Sequence, residues 1–358
     1  MWLMPAASRA ADIKSAIDEI ITPFLEDKPY LGLVVGITQS TGREILGYGH
    51  VTLAGERQTP DGETLFEIGS ITKAFTGTLL ADQVLAGTVR LDDPVQKHLP
   101  DGLTVPRRND RDITLLHLAT HTSSLPVQPP LIGLFALTTK DPSNPYAEYG
   151  LDHLKETLMQ IQLSGPIGSQ FDYSNLGVGL LGHALAHAAG AESYEDALIR
   201  QIVEPLELAD TRIELSDEQK KRFSPGHDRS GKETSGWTFA CLEACGGLRS
   251  TVPDLLDLID AVLGRRKTTL TEAFQMAQER WRETGQKGEF VGLCWMRQKI
   301  PEADRTMIWH NGGTGGYRSF LGFLPETGVG VVILSNSSHS VDALGVEILK
   351  KLDDEDQK

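Results

Sequence analysis

Apolar positions outline the elements of this chain before any single residue suggests chemistry. Ile13, Ile17, Ile20, Ile21 and Phe24 recur at helical spacing, which predicts an amphipathic helix over residues 12–26. The β-rich run Leu31 to Ile37, the turn Ser40-Thr41-Gly42 and the return from Glu44 to Val51 read as a hairpin. Residues 61–67 lead into Ser70, and a helix then runs to Gly87, a residue suited to end it. That helix is apolar nearly all round, through Ala74, Phe75, Leu79, Leu80, Ala81, Val84 and Leu85, as expected of a segment buried in a domain centre.

The middle, about residues 91–242, patterns as helix and loop. Pro126, Pro129, Pro130, Pro142 and Pro145 mark loops, and helical stretches cover residues 152–162, 177–189 and 194–203. Thr251 followed by Pro253 reads as the cap and first turn of a helix reaching Leu263. Met307 to His310, Tyr317 to Leu324 and Val329 to Leu334 are β-type runs separated by glycine-rich turns, as in an antiparallel meander. The last helix covers Val341 to Leu352. Strands at both ends with helices between predict an α+β fold: an antiparallel sheet built from both chain ends, flanked by helices, with an inserted mostly helical subdomain. The expected organisation is one unit over residues 12–352, with an α/β part at about 12–90 and 245–352 and a helical part at about 91–244. A signal-like or disordered start (1–11) and an acidic tail (353–358) flank it.

Composition narrows the partners. With 40% hydrophobic residues in 358, a sizeable core is available. The net charge of -15 repels phosphate backbones, so no nucleic acid partner is expected. Asp353-Asp354-Glu355-Asp356 reads as a solvated end, not a metal site. No apolar run is long enough to span a bilayer, so no transmembrane segment is expected. Trp2 to Ala11 looks like the tail of a secretory signal, with small residues before a cut after Ala10, which points to a periplasmic or secreted location. Cys241, Cys245 and Cys294 cannot build a disulfide framework; Cys241 and Cys245 could pair locally, but buried free thiols are the commoner reading. His117 with His121, and His183 with His187, are each four apart. Neither pair forms His-Glu-x-x-His, so they read as packed or surface histidines, and no metal or other cofactor is expected.

Three segments carry candidate chemistry. In Ser70-Ile71-Thr72-Lys73 a serine and a lysine share one helix face. A serine hydroxyl is a weak nucleophile until a neighbour takes its proton, and a lysine drawn into an apolar interior can do so. Tyr173-Ser174-Asn175 follows the turn-forming run Gly165 to Gly168 and precedes an apolar helix. Its tyrosine can pass a proton, and its asparagine can bond both a lysine and a substrate amide. His310-Asn311-Gly312-Gly313-Thr314-Gly315-Gly316 ends a strand with four glycines in seven residues, suited to close backbone approach and to an oxyanion-hole N–H.

In this order and at these separations, the three segments resemble the active-site signature of serine β-lactamases and penicillin-binding proteins, above all the class C β-lactamase and DD-carboxypeptidase branch, whose second motif is Tyr-x-Asn. The resemblance extends over about residues 12–350 and includes Ile113 to Pro126, with Ser124 where glycine is usual, Pro205 to Thr211, and Gly246 to Thr251. It implies that Ser70 is acylated, that Lys73 and Tyr173 exchange its proton, and that Tyr173 helps activate the deacylating water. It implies further that Asn175 holds the substrate amide and that the N–H groups of Ser70 and Gly313, beside Gly312, form the oxyanion hole. His310 stands where this branch's β-lactamases have lysine, and histidine there is known among DD-peptidases. An imidazole with an ordinary pKa near 6.5 anchors a substrate carboxylate less firmly than an ammonium; Arg318 could compensate, and reads equally as a surface arginine on an alternating strand. The implied function is a serine hydrolase working through a covalent acyl-enzyme on a β-lactam, a D-Ala-D-Ala peptide or an ester. A class C-like β-lactamase or penicillin-binding hydrolase comes first, then a DD-carboxypeptidase or short-chain carboxylesterase. A non-catalytic scaffold is disfavoured by the intact Ser, Lys, Tyr and Asn set.

Overall fold

The computed structural model describes residues 6–53, 55–130, 132, 141–279, 281–300 and 304–356. Helix α1 (Ala6–Leu25) is followed by strands β1 (Gly32–Gln39) and β2 (Gly42–Gly49), the expected hairpin. Six more strands come late in the chain: β3 (Arg282–Glu283), β4 (Glu289–Val291), β5 (Met296–Ile300), β6 (Arg305–Gly313), β7 (Arg318–Leu324) and β8 (Val329–Ser335). Among the described residues the main sheet runs β2-β1-β8-β7-β6-β5-β4-β3, antiparallel throughout. The two chain ends meet where β1 pairs with β8, from Leu33 opposite Ser335 to Thr38 opposite Gly330. The α+β sheet is thus built from both ends of the chain, as the alternating strand pattern predicts.

Both faces of the central strands are covered, which is why β1 and β8 are apolar without a polar side. On one face Leu33, Val35 and Ile37 pack with Ile17 and Ile21 of α1 and with Ile348 and Leu352 of α5 (Asp342–Asp356). On the other, Val34 and Leu334 join the large core of α2 (Thr72–Leu85), α3 (Asn175–Ala188) and α4 (Val252–Val262). The expected cap on α4 is present, Thr251 Oγ1 accepting from the Asp254 N–H. Helix α3 starts two residues before the expected Gly177, because Ser174 caps it and draws Asn175 into the first turn; Ser174 Oγ accepts from the Gly177 N–H at 2.9 Å. The stretch 194–203 is an α-helix (Tyr194–Leu198) that widens into a π-turn (Ile199–Val203).

The acidic end departs from its reading as solvated. Helix α5 runs on to Asp356, and Asp353 is buried with its carboxylate 3.0 Å from Arg305 Nε of β6. Cys241, Cys245 and Cys294 are free and buried. Of the signal-like segment, residues 1–5 lie outside the described residues, and α1 covers the rest.

Candidate active site

Ser70 lies in a single 3-10 turn (Gly69–Ile71) between a short buried strand and α2. Lys73, one turn on, is completely buried. Its Nζ donates to Ser70 Oγ at 2.9 Å and to the carbonyl of Cys245, and it lies 5.0 Å from the centroid of the Tyr173 ring. A buried ammonium without such acceptors would be costly, so the lysine is tied to the serine by the same bonds that let it stay inside.

Backbone contact brings the second half of the site to Ser70. Gly69 has φ +49°, and a Cβ there would stand 2.6 Å from the Gly313 nitrogen. A Cβ on Gly312 would lie 1.9 Å from the Ile68 carbonyl oxygen. The Ser70 turn and the end of β6 therefore pack main chain on main chain, a fit open only to glycine. Ser319 Oγ, from the neighbouring β7, donates to the same Ile68 carbonyl at 2.8 Å and fixes the approach. The Gly313 nitrogen is thereby brought against the residue that precedes Ser70.

The cavity beside Ser70 is lined by Asn175, Cys245, Gly246, Gly313, Thr314 and three aromatic rings, Tyr146, Trp237 and Phe239. The Tyr146 ring packs at a tilt against Trp237 and Phe239, centroids 5.2 and 4.7 Å away, and Trp237 Nε1 donates to the Ser143 carbonyl at 2.6 Å. This aromatic wall is not apparent in the sequence; Trp237-Thr238-Phe239 inside a long irregular stretch is its one local sign. Asn175 hangs from the Val127 carbonyl by its own N–H at 2.8 Å, and its Oδ1 is buried without a protein partner.

The two candidate anchors, His310 and Arg318, lie on different faces of the sheet end. His310 is buried on β6, its Nδ1 2.6 Å from the Asn311 carbonyl oxygen. Burial first, and the charge of Lys73 second, push its pKa down to about 3. Its titration therefore lies below the ordinary imidazole range, and the ring is neutral at pH 7. Arg318 is not brought to Ser70. Its neighbour Ser319 faces the serine turn, so by strand alternation Arg318 faces the other side. Its Nη1 donates to the carbonyls of Thr314 and Tyr317, at 2.8 and 2.7 Å, bracing the glycine loop.

Other candidates are also placed. His117 Nδ1 accepts from the Thr114 N–H in a helix cap, and His183 bonds the Cys241 carbonyl at 2.7 Å. His121 leaves the helix of His117 and packs on Tyr173 instead. No metal-binding group of three His, Cys, Asp or Glu comes together among the described residues. Glu67, three residues before Ser70, is a feature that the sequence reading passes over. It is buried, its carboxylate is 3.5 Å from Arg249, and burial outweighs that charge to push its pKa up to about 7.

Comparison with known proteins gives the family and the fold. Residues 17–353 match the profile of the family described as Beta-lactamase. A beta-lactamase of Escherichia coli (strain K12) is 28% identical, covering 91% of this chain and 89% of the relative. The D-alanyl-D-alanine-carboxypeptidase/endopeptidase AmpH of the same organism is also 28% identical, covering 86% and 80%. Among solved structures, a class C beta lactamase from Rhodobacter sphaeroides superposes with a TM-score of 0.79 at 26% identity over 97% of this chain and all (100%) of that one. Another class C beta lactamase gives 0.81 at 22% identity over 96% and 98%. The chain belongs to the beta-lactamase family, as a serine hydrolase on the class C fold.

Proposed function

We propose that the enzyme is a penicillin-recognising acyl hydrolase that opens β-lactams slowly and also takes D-Ala-D-Ala peptides, forming its acyl-enzyme on Ser70. The observation that carries this reading is the buried Lys73 Nζ 2.9 Å from Ser70 Oγ, beside the main-chain junction of Gly69 and Gly313. Ser70 Oγ attacks the substrate carbonyl carbon and gives its proton to the Lys73–Tyr173 pair. The N–H groups of Ser70 and Gly313 hold the oxyanion. The intermediate collapses as the C–N bond breaks, and the proton returns to the leaving nitrogen. Water, deprotonated with help from Tyr173, then attacks the ester, releasing the acid and restoring Ser70. Asn175 holds the substrate amide at the aromatic wall.

Supporting a slow β-lactamase is the neutral His310 in the position where β-lactamases of this branch present an ammonium. The same observation, with the apolar wall of Tyr146, Trp237 and Phe239, favours a second reading, hydrolysis of short neutral esters. Periplasmic location belongs to this proposal and is supported by the signal-like Trp2 to Ala11. No helix among the described residues is long and apolar enough to cross a membrane. A panel of nitrocefin, a D-Ala-D-Ala peptide and p-nitrophenyl acetate, run on the wild type and on Ser70→Ala, tests the assignment. The expected result is turnover of the first two by the wild type and none by the variant. Hydrolysis of the ester alone would replace the first reading by the second, and full activity in Ser70→Ala would remove both.

A further inference from the structure

His121 holds the two residues that flank Tyr173. It is fully buried, in a left-handed conformation at φ +55°. The Asp172 N–H donates to its carbonyl at 2.7 Å, and the Ser174 N–H donates to its Nδ1 at 3.1 Å. The main chain on both sides of Tyr173 thus hangs from one residue. The His121 imidazole also stacks on the Tyr173 ring, centroids 4.4 Å apart and planes tilted by 31°, while Phe171 meets its edge at 5.6 Å. Lys73 Nζ is 5.0 Å from the centroid of that same tyrosine ring.

Hydrogen bonding fixes the form of the imidazole. Nδ1 accepts an N–H, so the ring proton of neutral His121 sits on Nε2, which is buried without a protein partner. His310 is the reverse: its Nδ1 faces a carbonyl, which only accepts, so the proton sits on Nδ1 and the equally buried Nε2 is a bare acceptor. Burial, with the charge of Lys73 added, holds the pKa of His121 well below its ordinary value. The two histidines beside Lys73 therefore stay uncharged and in opposite tautomers.

We propose that His121 is a positioning residue for acyl transfer, fixing the Tyr173 ring against Lys73 by stacking on it and by holding the backbone on both sides of it. The inference rests on Tyr173 acting in proton transfer. A loop spacer would need neither the stack nor the ring acceptor, and a second general base is ruled out by a ring nitrogen already occupied by the Ser174 N–H.

Two replacements separate the parts. His121→Phe keeps a ring for stacking and loses the acceptor, and His121→Asn keeps an acceptor and loses the stack. Each is made in the wild type and in Tyr173→Phe, with melting temperature recorded and kcat and KM measured on nitrocefin. In the wild-type background kcat is expected to fall at least about tenfold with KM within about threefold. In Tyr173→Phe the same replacements should cost less than about twofold. Equal costs in both backgrounds would overturn the inference and leave the proton-transfer reading intact. Full activity of Tyr173→Phe alone would overturn both. Should the variants not fold, 15N-histidine spectra of the wild type at about pH 7 decide: His121 protonated on Nε2 only is expected, and a charged or Nδ1-protonated ring overturns the inference.

Discussion

Lys73 carries two duties that depend on the same bonds. Ser70 Oγ and the Cys245 carbonyl keep the ammonium in the interior, and that placement keeps it on the proposed nucleophile. Lys73→Ala and Tyr173→Phe should each lower kcat/KM at least about 10²-fold, and the double variant should lose little more than the worse single one, because the groups act as a unit. Steady-state kinetics on nitrocefin checks this; independent, multiplying losses would separate the two residues. The serine–lysine pair is legible in the sequence because helix periodicity is local. The Cys245 carbonyl is not, since a backbone acceptor 172 residues away leaves no mark in residue type. His310 illustrates the other limit. Its identity is visible, but its charge depends on burial that only the folded sheet creates. With a pKa pushed down to about 3, it contributes no inflection between roughly pH 5.5 and 8.5. The pH profiles of kcat/KM for nitrocefin and for a neutral ester should therefore run parallel there. An extra inflection near 6.5 for nitrocefin alone would show a titrating anchor.

At the scale of elements, the site is a junction between the turn before α2 and the end of β6, and glycine sets its closeness. Gly312→Ala would push a Cβ to within 1.9 Å of the Ile68 carbonyl oxygen, so the strand must move. A loss of about 1–3 kcal/mol in stability is expected, with kcat down about 10²-fold or more as one oxyanion donor shifts. Denaturant melts together with nitrocefin kinetics measure both. Thr251→Ala, at the cap of α4, should cost about 1 kcal/mol and leave kcat/KM unchanged, which separates a purely structural cap from the site. The sequence pattern supplies these elements to within a few residues, because caps and periodicity are short-range. It leaves Arg318 open between a carboxylate anchor and a surface arginine for a topological reason. Which face of β7 meets Ser70 follows from its pairing with β6, and that register is not written in β7 itself.

Across the whole molecule, the joining of β1 to β8 was readable from strands at both chain ends, while the buried pairing of Asp353 with Arg305 was hidden by an acidic run that resembles a solvated tail. Buried titratable groups make the stability of the fold depend on pH. His310 and His117 have pKa values pushed down to about 3 and about 4, chiefly by burial, and that of His121 is also lowered. For these groups the unfolded chain binds protons that the folded chain refuses. Their contribution is complete above about pH 6.5 and is lost as pH falls toward the folded values. Glu67 has the opposite sign: raised to about 7, it favours the fold below the ordinary carboxylate range and loses that contribution as pH rises through 7. His183 is lowered by burial as well, and burial raises Asp82, Glu243 and Asp254 with the sign of Glu67, so the test is made on one group: between about pH 7 and 5 the urea midpoint of His117→Gln should fall less, or rise more, than that of the wild type. The same pH dependence in both proteins would contradict the burial of the His117 ring.

The proposed chemistry requires that one serine, held by one buried lysine, forms the covalent intermediate. Intact-protein and peptide mass spectrometry after incubation with penicillin reads this out. A single acyl adduct is expected on the peptide carrying Ser70, absent in Ser70→Ala and strongly slowed in Lys73→Ala. An adduct on another residue, or none in folded protein with any acylating probe, would contradict it.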